Sequence, residues 1–147
     1  MEDDETLEQV IYRSLCIKKA VVEEDEKESG LRRILNFGHT LGHGIESESG
    51  LGGLYHGECV GLGMIPMCSK TVRARLLPTL ERLRLPTVVE GDLEKILSLA
   101  AHDKKRSGDQ ISVVFVDEIG SFRMEKMPLE TWNGLIRDAL MAKETEV

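Results

Sequence analysis

Long apolar runs, a basic surplus and paired cysteines are all missing from this sequence of 147 residues. No uninterrupted apolar stretch approaches the roughly 18 residues that a membrane span requires, so no membrane role is expected. Net charge is −7, from 26 acidic and 19 basic side chains, and the basic footprint of a nucleic-acid binder is absent. The surplus lies in residues 1–30, which hold ten acids and four bases, the mark of a solvated helix face. The leading Met1-Glu2-Asp3-Asp4-Glu5 is the reverse of a secretory or mitochondrial leader and implies a cytoplasmic protein. Cys16, Cys59 and Cys68 are odd in number and lack CxxC spacing, which argues against a disulfide framework or a thiolate zinc site. With 41% apolar and 31% charged residues, the chain is not collagen-like, low-complexity or disordered. Its length suits one domain with a core of its own.

Hydrophobic periodicity then sets the organisation. Leu7, Val10, Ile11, Leu15, Ala20 and Val21 recur at helical spacing, which predicts an amphipathic helix over residues 4–22. Ser29-Gly30 breaks it, and a second helix is expected from Leu31 to the glycines at 50, 52 and 53. A third, charge-poor helix is predicted over 57–76, and Pro78 and Pro86 bracket a short segment at 79–85. Asp92 is placed to N-cap a helix reaching Ala101. The β-branched run 111–116, a turn at 117–120 and residues 121–127 predict a β-hairpin, and Pro128 starts a final helix. The expected fold class is mainly α, one helical domain over 1–147 with a small β-hairpin.

The second helix carries the chemistry. At about 100° per residue, Arg32, Asn36, His39, His43 and Glu46 share one stripe roughly 80° wide, opposite Ile34, Leu41 and Ile45. A solvent-facing stripe is normally Glu and Lys; this one offers a guanidinium, a carboxamide and two imidazoles. Gly38 and Gly42 each cost about 1 kcal/mol inside a helix, and their spacing implies a close neighbour. His39 and His43, at i and i+4, could meet one metal ion. The glutamate that follows the first histidine in zinc peptidases is replaced by Thr40. His56 follows where the third helix should begin, so three of the four histidines fall within 18 residues.

The run from Leu31-Arg32-Arg33-Ile34-Leu35-Asn36 through Phe37-Gly38-His39-Thr40-Leu41-Gly42-His43-Gly44-Ile45-Glu46 resembles a signature of the 3-dehydroquinate synthases. His56-Gly57-Glu58-Cys59-Val60-Gly61-Leu62-Gly63-Met64 is similar to that family's next block. Lys18 with Val21-Val22 and Asp25-Glu26, followed by Gly30-Leu31-Arg32, resembles the preceding block, and Ala101-His102-Asp103-Lys104-Lys105 a late lysine motif. These matches run in order over residues 18–105.

The resemblance implies roles. His39 and His56 match two histidine ligands of zinc, or of another divalent metal such as cobalt, and His43 matches a histidine beside the substrate. Lys18, Arg32 and Asn36 match groups that hold a sugar-phosphate substrate's phosphate, carboxylate and hydroxyls. Lys104 or Lys105 matches an active-site lysine, and Glu58 either takes part or caps a helix. The implied reaction is conversion of 3-deoxy-D-arabino-heptulosonate 7-phosphate to 3-dehydroquinate and phosphate, a step of the shikimate pathway. In the family NAD transiently oxidises a substrate alcohol, which acidifies a neighbouring C–H, and zinc polarises the reacting oxygen. The family's nucleotide-binding domain and third, glutamate zinc ligand lie upstream of the matched blocks, and no βαβ phosphate loop occurs here. The chain therefore reads as the C-terminal domain, inactive alone, with a nucleotide-binding domain as partner and the main NAD site outside it. An uncovered apolar surface would favour a homodimer. A related sugar-phosphate cyclase domain and a non-catalytic helical scaffold are the alternatives.

Overall fold

A computed structural model describes residues 3–26, 30–102 and 109–141. They divide into two compact units, residues 1–35 and 36–147, each described by itself.

In the first unit, helix α1 spans Asp4–Glu24. Asp3 caps it: the carboxylate accepts the Thr6 amide at 2.8 Å and the Thr6 hydroxyl at 3.0 Å, satisfying a donor that the first turn leaves free. Leu7, Val10, Ile11 and Leu15 of the expected apolar stripe are exposed, and Val21 is buried. After α1, Asp25 Oδ2 accepts the amides of Gly30 at 2.7 Å and Arg32 at 3.0 Å. The 3-10 helix Leu31–Asn36 begins at these bonds.

The second unit holds α2 (His39–Ser49), α3 (His56–Met64), α4 (Lys70–Arg82), α5 (Leu93–His102), β1 (Gln110–Phe115), β2 (Arg123–Pro128) and α6 (Leu129–Met141). Leu41, Ile45, Cys59, Leu62, Ile96, Leu97, Ile111, Trp132 and Ile136 form its core. Helix α2 lies between α3 and α5 and touches both backbones. A Cβ on Gly63 of α3 would stand 2.0 Å from the Gly38 carbonyl oxygen, and one on Gly44 would stand 2.5 Å from that of Ile96 in α5. Interhelical packing this close admits no side chain.

The structure corrects the helix over 31–49: it is two segments, broken at Gly38. Gly38 has φ +76°, a left-handed conformation in which a right-handed helix cannot continue. A Cβ there would also stand 2.7 Å from the Val60 carbonyl oxygen. Arg32 and His39 thus do not share a helical wheel. The helix expected over 57–76 is likewise two, because Pro66 follows the end of α3 and has no N–H to continue it. Ser69 restarts the chain by accepting the Val72 amide at 3.2 Å. Residues 79–85 are not a separate segment, since α4 runs through Pro78 to Arg82.

Other expectations hold. Asp92 Oδ1 accepts the amides of Glu94 at 3.0 Å and Lys95 at 3.2 Å, capping α5. β1 and β2 pair antiparallel, from Gln110 opposite Pro128 to Phe115 opposite Arg123. Arg73 of α4 ties the unit together, donating to the carbonyls of Ile65 at 2.8 Å, Cys68 at 3.2 Å and Ala139 at 3.3 Å. The fold is mainly helical with one β-hairpin, as the sequence implies. Among the described residues no helix is long and apolar enough to cross a membrane.

Candidate metal and substrate site

The Gly38 turn sets where α2 starts, and His39 is its first residue. The His39 Nδ1–H donates to the Phe37 carbonyl at 3.1 Å, leaving Nε2 as the free lone pair. His43 follows one turn later, its ring centroid 5.8 Å from that of His39. His56 opens α3. That helix start is held by Glu58, whose carboxylate accepts the Tyr55 amide at 2.6 Å, so Glu58 caps. The His56 ring lies 5.4 Å from His39 and 5.8 Å from His43. Three imidazoles from two helices therefore form a triangle of nearly equal sides.

This donor set fits a metal ion. With Zn–N bonds of about 2 Å, two imidazoles on one tetrahedral zinc place their centroids about 5 Å apart, and the His39–His56 pair comes nearest to that separation. A carboxylate joins the cluster, since Glu46 Oε2 lies 3.0 Å from His56 Nδ1. By donor atoms, His43, Glu46 and His56 lie within 4.8 Å of one another. That group shares His56 with the pair implied by the resemblance and differs from it in His43 and Glu46.

Beside the triangle lies a cavity of about 240 Å³, lined by Asn36, His39, Thr40, His43, Ser47, Leu99 and Ala100. Complete small-molecule sites run to about 300–1,000 Å³, so this one is the size of a partial site. A larger cavity of about 600 Å³ is lined by Ile45, Glu48, Leu54, Pro86 and Val88 among others and contains no histidine. Cys59 of α3 is buried, and burial, reinforced by the Glu46 and Glu58 carboxylates, pushes its thiol up. It stays a neutral packing group.

Of the sequence-predicted residues, the structure brings Asn36, His39 and His43 to one cavity and joins His56 to them through the ring cluster. Lys18 is exposed on α1 and Arg32 sits in the 3-10 helix, both in the first unit. Lys104 and Lys105 lie outside the described residues. Thr40 and Ser47 also line the cavity; in the sequence, only their places beside His39 and one turn beyond His43 point to it. Glu46 was legible on the polar stripe; its contact with His56 was not.

A family model described as "3-dehydroquinate synthase C-terminal" matches residues 1–106. The chain belongs to this family. A 3-dehydroquinate synthase of Streptococcus thermophilus is 37% identical over 135 residues, covering 85% of this chain and 38% of the relative. That of Enterococcus faecalis is 38% identical over 133 residues, covering 84% and 37%. The chain thus spans under two-fifths of the length of these relatives, whose family domain it matches is the C-terminal one. Among solved structures, 2-deoxy-scyllo-inosose synthase in complex with carbaglucose-6-phosphate, NAD+ and Co2+ has the same fold. Its TM-score is 0.76 at 23% identity, covering 95% of this chain and 43% of that one.

Proposed function

We propose that the chain is the metal- and substrate-binding half of a 3-dehydroquinate synthase active site, and that a nucleotide-binding domain completes it. The observation that carries this reading is the convergence of His39, His43 and His56, with the 5.4 Å His39–His56 separation suited to a shared metal. His39 and His56 are the metal ligands, each presenting Nε2 while Nδ1 is engaged by a neighbour. When bound, zinc or cobalt supplies Lewis-acid polarisation of a substrate oxygen, and NAD, held mainly outside this chain, supplies redox capacity.

The remaining roles belong to the chain's own side chains. His43 faces the cavity with Asn36, and an imidazole there is a group that can accept a proton from substrate and return it. Asn36 offers a carboxamide that both donates to and accepts from substrate hydroxyls. Lys18 and Arg32 provide a point charge and a planar fork for phosphate and carboxylate, with Lys104 or Lys105 as a further cation. Net acidity of the chain is no obstacle, because local cations set the potential within a cleft. The substrate is 3-deoxy-D-arabino-heptulosonate 7-phosphate and the products are 3-dehydroquinate and phosphate.

The test is a chimera in which this chain replaces the matching C-terminal part of the Streptococcus thermophilus enzyme. Supplied with metal and NAD, it should release phosphate and form 3-dehydroquinate, and His39→Ala, His43→Ala and His56→Ala should each abolish turnover. The 147-residue chain alone should not turn over. A folded chimera that bound metal but showed no turnover would refute the reading, as would turnover indifferent to the three substitutions.

A further inference from the structure

Glu46 stands in the histidine cluster without a role in the reading above, and its geometry admits two. It could bind metal directly, or it could hold a histidine that does. Its Oε2 is 3.0 Å from His56 Nδ1, hydrogen-bond distance, at which a proton lies between the two atoms when no metal ion does. An ionised carboxylate only accepts, so the proton sits on Nδ1. With Nδ1 protonated, the His56 lone pair is on Nε2, on the other side of the ring. His39 is oriented in the same sense by a different acceptor, the Phe37 carbonyl.

We infer that Glu46 is a positioning residue: it fixes the tautomer and ring orientation of His56 so that Nε2 is presented to the metal. The inference rests on the reading of His56 as a ligand. Position in the fold explains why a side chain is needed for this task. Phe37 reaches His39 through its own backbone because the two are neighbours across the Gly38 turn. His56 begins α3 directly after a loop, and its side chain is 52% exposed, so the backbone around it does not pin the ring. Glu46 on α2 supplies the acceptor from the neighbouring helix, one turn beyond His43.

Two measurements test this. The first needs no metal: 15N-edited spectra of the histidine-labelled chain at pH 8, where ordinary imidazoles are neutral. His56 should be the Nδ1–H tautomer in the wild type and in Glu46→Gln, whose amide oxygen still accepts, and should lose that preference in Glu46→Ala. The same tautomer mixture in wild type and Glu46→Ala would overturn the inference. The second is zinc titration of the same proteins. Glu46→Ala should weaken binding roughly 10–100-fold, the usual effect of losing a ligand's hydrogen-bond partner, and Glu46→Gln should recover most of it. Equal losses in both variants would mean that the carboxylate itself binds metal and would overturn the inference. Were the wild type to bind no zinc, the assignment of His56 as a ligand would fail, and the tautomer result would still decide what Glu46 does.

Discussion

Gly63→Ala puts a single methyl where two helices cross, and its effect can be worked from the structure. The new Cβ would stand 2.0 Å from the Gly38 carbonyl oxygen and 2.9 Å from the Gly42 amide nitrogen. Ordinary contact begins at 3.4 Å, so α3 and the start of α2 must separate by about 1.4 Å. Both obstructing atoms are backbone, and neither can move by changing a rotamer. Overpacking of a close-packed core costs about 1–3 kcal/mol or more, against a gain of about 1 kcal/mol from replacing glycine by alanine in a helix. Taking the upper end for a backbone clash leaves a net loss of about 2 kcal/mol, or about 8 °C in Tm for a unit of this size. Gly57→Ala, in the same helix, is the control, because its Cβ would meet nothing within 4 Å. Thermal unfolding followed by circular dichroism should show Gly63→Ala melting well below wild type and Gly57→Ala close to it. The same shift should weaken zinc binding, since it separates the histidines of α2 from that of α3. Equal melting temperatures for the two variants would refute the α2–α3 packing on which the site depends.

Three further outcomes are expected. Arg73→Lys should destabilise the second unit by about 2–3 kcal/mol, seen as a lower urea midpoint at unchanged slope, because an ammonium cannot reach three carbonyls from one fork. Native protein should show one thiol reactive with Ellman's reagent and three after denaturation, since Cys16 is exposed while Cys59 and Cys68 are buried and burial pushes both buried thiols up. The paired bonds from Arg137 to Glu94, both 2.7 Å, hold the Glu94 carboxyl below its ordinary range. A depressed carboxylate stabilises the fold above its unfolded pKa and ceases to do so as pH falls through the folded value. The small melting difference between wild type and Glu94→Gln should therefore be present at neutral pH and vanish in acid.

What the sequence made legible was local. The β-branched run at 111–116 marks the hairpin without help from the rest of the chain, and Asp92 and Pro128 mark helix starts by the chemistry of their own side chains. The histidines, too, announce themselves by spacing. What stayed hidden depends on neighbours distant in sequence. Periodicity treats Gly38 as one more helical position, whereas in the structure it turns left-handed, at φ +76°, with Val60 and Met64 packed against it. Pro66 and Pro78 look alike in sequence, yet one ends a helical stretch and the other lies within α4. Ser69 caps a new start just after Pro66. Glu46 could be placed on the right face, but only the packing of α3 against α2 brings His56 to it.

On the reading proposed above, α2 and α3 together form a metal centre. Calorimetric titration of the chain with zinc tests it most directly, using His39→Ala, His56→Ala and, as control, His102→Ala, which alters an exposed histidine at the end of α5. Wild type and His102→Ala should bind one equivalent alike. His39→Ala and His56→Ala should each lose more than the roughly 10–100-fold expected for a residue that only orients a ligand. Zinc binding indifferent to both substitutions would contradict the account and favour a helical scaffold that keeps the signature without the chemistry.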